Sequence, residues 1–244
     1  MDRNASHYTI PIGHPTWIYM NLGLIVTTLI VFIITRKPST TRNNTIAYVL
    51  AALIGVNFIG EQIEAFIHHT WRIETYLPLH LCSFSTFLAI HFLIYRKQWV
   101  YEFLIFWSAG AIHAFLTPEV TTGANWYYIL FFTISHGGII IAALYGSLRL
   151  GFKPRPRSWL KVFAYTQLVL PVIGLVNYFL DSNYMYIAQK PSANNPMIIG
   201  EWPWYIIGLE FIVLAHFYIF YWIHNRVASV RWTLPKTEQE PSLQ

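Results

Sequence analysis

The sequence predicts an all-α, polytopic membrane protein of seven transmembrane helices, with the N-terminus outside and the C-terminus cytoplasmic. Three observations lead there. Hydrophobic residues make up 55% of the 244-residue chain and charged residues only 11%, against about 25% charged in soluble proteins. The mean hydropathy is +0.41. The apolar residues are gathered into seven runs, most of them near the roughly 20 residues that cross a hydrocarbon core of about 30 Å as a helix. A soluble enzyme, a disordered chain and a disulfide scaffold are thereby excluded. Cys82 is the single cysteine, so no intramolecular disulfide can form.

The first run extends from about Trp17 to Ile34 and stops at Arg36-Lys37-Pro38. The second extends from about Ile46 to Ile67, and the third from just after Pro78 to about Tyr95. The fourth runs from about Trp99 to Leu116, where Thr117-Pro118 ends it. The fifth spans Trp126 to about Leu148, the sixth Trp159 to Leu180, and the seventh Pro203 to about Ile223. The first run is not a cleaved signal peptide: Pro11 and Pro15 precede it and no small-residue cleavage site follows. Residues 1–225 read as one transmembrane domain and 226–244 as a polar cytoplasmic tail, without internal repeats.

Orientation follows from the bases. Arg36, Lys37, Arg42, Arg96, Lys97, Arg149, Lys153, Arg155, Arg157, Lys161, Arg226, Arg231 and Lys236 fall on one side of the seven runs. Only Arg3, Arg72 and Lys190 fall on the other. Positive charge marks the cytoplasmic side. The net charge of +5 is therefore a bilayer signal, and no nucleic-acid partner is expected. Trp17, Trp99, Trp126, Trp159, Trp202 and Trp204 fit an interfacial aromatic belt.

Ionisable residues inside a span cost at least about 2.5 kcal/mol each on insertion scales, so they normally face a bundle interior or a wet cavity. Asn57, Glu61, Glu64 and His68 share a stripe on the second helix through their spacings of four, three and four. His80 and Cys82 open the third helix. His113 lies one turn from the outer end of the fourth. His136, in Ser135-His136-Gly137-Gly138, lies about 15 Å below Trp126 on the fifth. Asn177 ends the sixth, and Glu210 lies about 10 Å below Pro203 on the seventh. These depths predict a shared pocket in the outer half, while His91, Glu102 and His216 read as scattered in the other half. The connection from Asp181 to Trp204, rich in aromatics and proline, predicts a folded cap over the outer mouth.

Cys82 is either a small buried hydrophobe or a nucleophile that needs a nearby base. On a regular helix His80 and Cys82 lie about 200° apart, so both can face the pocket only if Pro78 leaves the helix start irregular. His80, His113, His136 and Glu61 could supply a zinc site, but no pair of histidines four apart brackets a glutamate. No metal or other cofactor is expected.

Leu77-Pro78-Leu79-His80-Leu81-Cys82-Ser83, Leu116-Thr117-Pro118, Ser135-His136-Gly137, Asn183-Tyr184-Met185 with Lys190-Pro191, and Trp202-Pro203-Trp204-Tyr205 together resemble the bacterial YwaF-like integral membrane proteins. That family is distantly similar to a eukaryotic family described as cysteine-dependent acyltransferases of ether phospholipids, which in turn resembles membrane hydrolases of fatty-acid esters. In the eukaryotic proteins the reactive cysteine follows a proline near this helix start, and aligning the prolines could place His80 rather than Cys82 there.

The resemblance implies a cell-membrane protein whose partner is a membrane lipid and whose reaction is acyl transfer or acyl-ester hydrolysis. Cys82, or else His80, would attack the carbonyl and His136 would act as base. Glu61, His113, Asn177, Asn183, Trp204 and Glu210 would have substrate-binding or orienting roles, Asn177 by holding the oxyanion and Glu61 or Glu210 by orienting the histidine. Two alternatives stay open: a metal-dependent membrane hydrolase, and a non-enzymatic transporter or lipid-binding sensor in which Glu61, Glu210 and the histidines form a relay.

Overall fold

A computed structural model describes residues 7–37 and 39–227. Most of the expected polar tail, 228–244, lies outside the described residues. The chain forms seven helices: α1 (Pro15–Ile34), α2 (Thr40–Ile67), α3 (Leu81–Tyr95), α4 (Gln98–Leu116), α5 (Trp126–Leu148), α6 (Ser158–Leu180) and α7 (Trp204–Val227). Six are long and apolar enough to cross a membrane; α3, at 15 residues, is the short one.

The helix boundaries have local causes. Pro15 occupies the first turn of α1, where its missing N–H costs nothing, and the His14 side chain accepts from Thr16 N–H. α2 starts six residues before the expected Ile46, because Ser39 caps it by accepting from Arg42 N–H. The polar stretch 40–45 therefore continues the helix beyond its apolar run. α3 begins at Leu81 rather than directly after Pro78, since His80 is extended (φ −72°, ψ 151°).

Helices α2 to α5 hold the dense core. Phe92, Leu93, Leu104, Phe106, Ile139 and Tyr145 are wholly buried in it. Glycine permits the closest approaches. A Cβ on Gly138 would lie 2.7 Å from Ile54 of α2, and one on Gly146 would lie 2.6 Å from the Phe92 ring of α3. Helices α6 and α7 pack on the outside of α4.

Two short strands, absent from the all-helical expectation, join one end of the bundle. β1 (Tyr8–Thr9) pairs antiparallel with β2 (Glu119–Val120), with Tyr8 opposite Val120 and Thr9 opposite Glu119. Ile10 N–H extends the ladder to Pro118 O at 3.1 Å. We call this the β end; the connection between α6 and α7 also folds there. The opposite end is tied by Arg155, whose Nε and Nη2 each donate to the Glu102 carboxylate at 2.8 Å, and by Arg149, which donates to Thr35 Oγ1 and Phe32 O. The Arg155 guanidinium is accordingly held even more firmly protonated, through its bonds to Glu102.

Candidate functional site

A cavity of about 400 Å³ opens at the β end, between α3, α4 and α5 on one side and α6, α7 and the cap on the other. Most of its wall is apolar, with Phe106 and Trp107 from α4, Phe132 from α5 and Phe217 from α7. Six of the nine predicted site residues line it: Glu61, His80, Cys82, His113, His136 and Glu210. The irregular helix start reconciles His80 with Cys82. Because His80 is the extended N-cap and Cys82 is helical, the 200° separation of a regular helix does not apply, and both side chains border the same space.

The hydrogen bonds decide which nitrogen of each histidine can do what. A carbonyl oxygen only accepts, so His136 Nδ1–H donates to Phe132 O at 2.8 Å. In the neutral ring this leaves Nε2 with its lone pair, the arrangement a general base requires. His80 is the reverse case. Its Nδ1 accepts from Met185 N–H at 3.2 Å, so neutral His80 carries its proton on Nε2 and is a donor. That contact depends on the cap backbone, where Met185 (φ 57°) and Tyr186 (φ 54°) both adopt the left-handed conformation, which costs non-glycine residues about 1–2 kcal/mol each.

On the α7 side, His216 Nδ1–H donates to Ile212 O at 2.7 Å. Its Nε2 lies 3.2 Å from His113 Nε2, which must then donate. His216 thus belongs to the cavity, contrary to its expected place among scattered residues. Six positions on a helix amount to a separation of about 120°, which a wide cavity wall accommodates, so Glu210 and His216 both border it. Glu210 accepts from Gln167 Nε2 at 2.5 Å.

Asn177, Asn183 and Trp204 are not brought to the cavity. Asn177 is buried and its side chain is fully used: Oδ1 accepts from Tyr184 N–H (2.8 Å) and Ser182 Oγ–H (2.9 Å), and Nδ2 donates to Tyr184 O (2.9 Å). Asn183 likewise closes the cap on itself through Ala188 N–H, Gln189 N–H and Gln189 O. Trp204 is 70% exposed at the start of α7. The first two build the cap whose Met185, Tyr186 and Ile187 cover the cavity.

Glu119 was not foreseen. It sits on β2, is 7% exposed and borders the cavity. Its Oε1 is 2.6 Å from His7 Nδ1, and its Oε2 accepts from Ala193 N–H at 2.7 Å. One carboxylate thus joins the N-terminal strand, β2 and the cap. Burial pushes the Glu119 carboxyl up, but its bonds to His7 and to the Ala193 and Ser192 amides outweigh this and hold it below the usual carboxylate value. Beside it, burial and the Glu119 charge drive the Tyr186 phenol well above its ordinary value, so it stays a neutral donor. The only sequence signal for this clasp was a carboxylate just after Thr117-Pro118. Among the described residues, no three His, Cys, Asp or Glu side chains are grouped as a metal-binding set.

The model of the TMEM164 family matches residues 9–221. The chain belongs to the TMEM164 family. That match contains every cavity residue named above, whereas the narrower likeness to YwaF-like proteins is not what the comparison shows. An uncharacterized protein of Treponema pallidum (strain Nichols) is 26% identical over 144 residues, covering 59% of this chain and 58% of the relative. The chain thus matches little more than half of that relative's length. No solved structure matches. This TMEM164-family chain is a helical, multi-pass membrane protein with a largely apolar cavity, bordered by a few polar side chains, beside a hydrogen-bonded cap.

Proposed function

We propose that the cavity receives the acyl-ester region of a membrane lipid from the outer leaflet of the cell membrane, and that the protein transfers or hydrolyses the acyl group. One observation carries the reading: the chain's one thiol shares an apolar-walled cavity with a histidine whose Nε2 is free to take a proton. The bases gathered at the opposite end support an outward-facing β end.

His136 Nε2 takes the proton from Cys82 Sγ, and the thiolate attacks the ester carbonyl carbon. The carbonyl electrons move to oxygen, where His80 Nε2–H stabilises the charge. Asn177, the donor expected from the sequence, is committed to the cap. When the carbonyl re-forms, the C–O bond to the lipid breaks and the departing alkoxide takes the proton from His136. The resulting thioester is released to water or to an acceptor hydroxyl, which His136 deprotonates in turn, and Cys82 recovers its proton. Phe132 O, rather than a carboxylate, orients His136 in this scheme.

The test is acyl release or transfer from a panel of lipids by the purified chain in lipid vesicles. His136→Ala should lower the rate about 10²–10⁴-fold, and Cys82→Ala should abolish formation of an acyl-enzyme visible by mass spectrometry of the intact chain. Undiminished turnover in both variants would overturn the proposal.

A further inference from the structure

A second, smaller cavity of about 70 Å³ adjoins the first, and its chemistry is different. Its wall carries seven hydroxyl side chains: Thr75, Tyr76, Ser83, Thr86, Thr121, Thr122 and Ser135. Glu61 is its one carboxylate, and Glu61 and His80 border both cavities. Among the described residues, no side chain or backbone group hydrogen-bonds or pairs with the Glu61 carboxyl. A carboxyl without a protein donor in a low-dielectric site must be met by water or hold a proton.

Size and lining together select the occupant. Water takes about 30 Å³ in the liquid and needs two to four polar partners when buried. The chamber therefore holds about two waters and offers them ample hydroxyls, but it is too small for a lipid headgroup. Its position supplies the route: Thr75 to Pro78 come from the connection between α2 and α3, and Thr121 and Thr122 from the connection between α4 and α5, both at the β end.

We propose that this chamber is a water compartment that hydrates Glu61 and exchanges protons between its carboxyl and the solution at the β end. A proton leaving Glu61 Oε passes to a chamber water and out along the hydroxyl-bonded waters, and the reverse path restores it. The proposal stands apart from the acyl chemistry, because it concerns access to Glu61 and not the reactivity of Cys82.

The experiment uses the full chain carrying Cys82→Ser, so that an introduced cysteine is the sole thiol, in sealed lipid vesicles. Thr86→Cys lies in the chamber wall only, while Ile54→Cys lies in the dry core. Silver ion, close to water in size, is added to one face and then to the other, and thiols that escaped it are labelled with maleimide after denaturation. Loss of later labelling is expected at Thr86→Cys, from the face bearing the β end only, with full labelling retained at Ile54→Cys. Thr75→Cys, which also borders the chamber alone, repeats the measurement should Thr86→Cys fail to fold. Chamber cysteines that resist silver as long as Ile54→Cys would overturn the proposal. The proton step has its own readout: in acidic buffer the infrared carbonyl band that Glu61→Gln removes should shift promptly on transfer to D₂O. A band that does not shift, or no such band, would overturn it.

Discussion

The two walls of the large cavity are built from sequences of similar apolarity and do opposite things. In α4, 61% of the most apolar window is buried inside the protein; in α7 the figure is 6%. Phe106 and Phe217 face each other across the seam with ring centroids 5.3 Å apart. Behind Phe106 lies the packed core, whereas beyond Phe217 one face of α7 turns outward, including Phe211 at 71%. In a bilayer that exposed face meets hydrocarbon, which is as apolar as leucine. Hydrophobicity here serves two solvents, protein and lipid, and only one of them demands a shaped fit.

That contrast breaks if large substitutions cost the same on both walls. Phe106→Ala should destabilise the protein most, by about 3–5 kcal/mol as expected for emptying a packed aromatic site. Phe211→Ala should stay within about 0.5 kcal/mol. Thermal unfolding in detergent micelles compares them directly, and equal losses would remove the distinction between fixed and lipid-facing walls.

Next comes the clasp that closes the cavity on the fixed side. Glu119→Gln removes a buried charged acceptor from His7 and the cap, at an expected cost of about 1.5–3 kcal/mol. The sign of its pH dependence follows from the lowered folded value. The clasp contributes fully above the ordinary carboxylate value of 4.5 and is lost as pH falls through the folded value below it. The gap in midpoint temperature between wild type and Glu119→Gln should therefore be widest near neutrality and close in acid. A gap that widens on acidification would contradict it.

Glycines give the smallest and sharpest test. Gly146→Ala would drive a methyl into Phe92 and Tyr101 and should cost about 1–3 kcal/mol through overpacking. Gly208 on α7 has nothing within 4 Å of the added carbon, so Gly208→Ala should be neutral or stabilise by up to about 1 kcal/mol through helix propensity. Opposite signs in the same unfolding assay would sharpen the comparison.

Much of the site was legible before any coordinates, for a physical reason. A charged or imidazole group inside a span must find company, so the common depth of Glu61, His113, His136 and Glu210 predicted their convergence. The same argument misplaced His216: its position on α7 assigned it to the other half, yet the cavity extends far enough along α7 to bring it against His113. It also misread Asn177. A buried amide can serve a ligand or the backbone with equal chemistry, and here Tyr184 and Ser182 take it. Glu119 escaped notice because its partners lie 112 positions away at His7 and 74 away at Ala193.

Apolar run length and the scarcity of charge were enough to determine a helical membrane protein, because the transfer of side chains into hydrocarbon follows composition and a helix satisfies the hydrogen bonds of the crossing backbone within one segment. Tertiary structure decided the rest: which apolar faces meet protein and which meet lipid, which ring nitrogen carries each proton, and which asparagine holds the cap. Those choices depend on contacts of a few ångströms between residues far apart in the chain, and no local pattern encodes them.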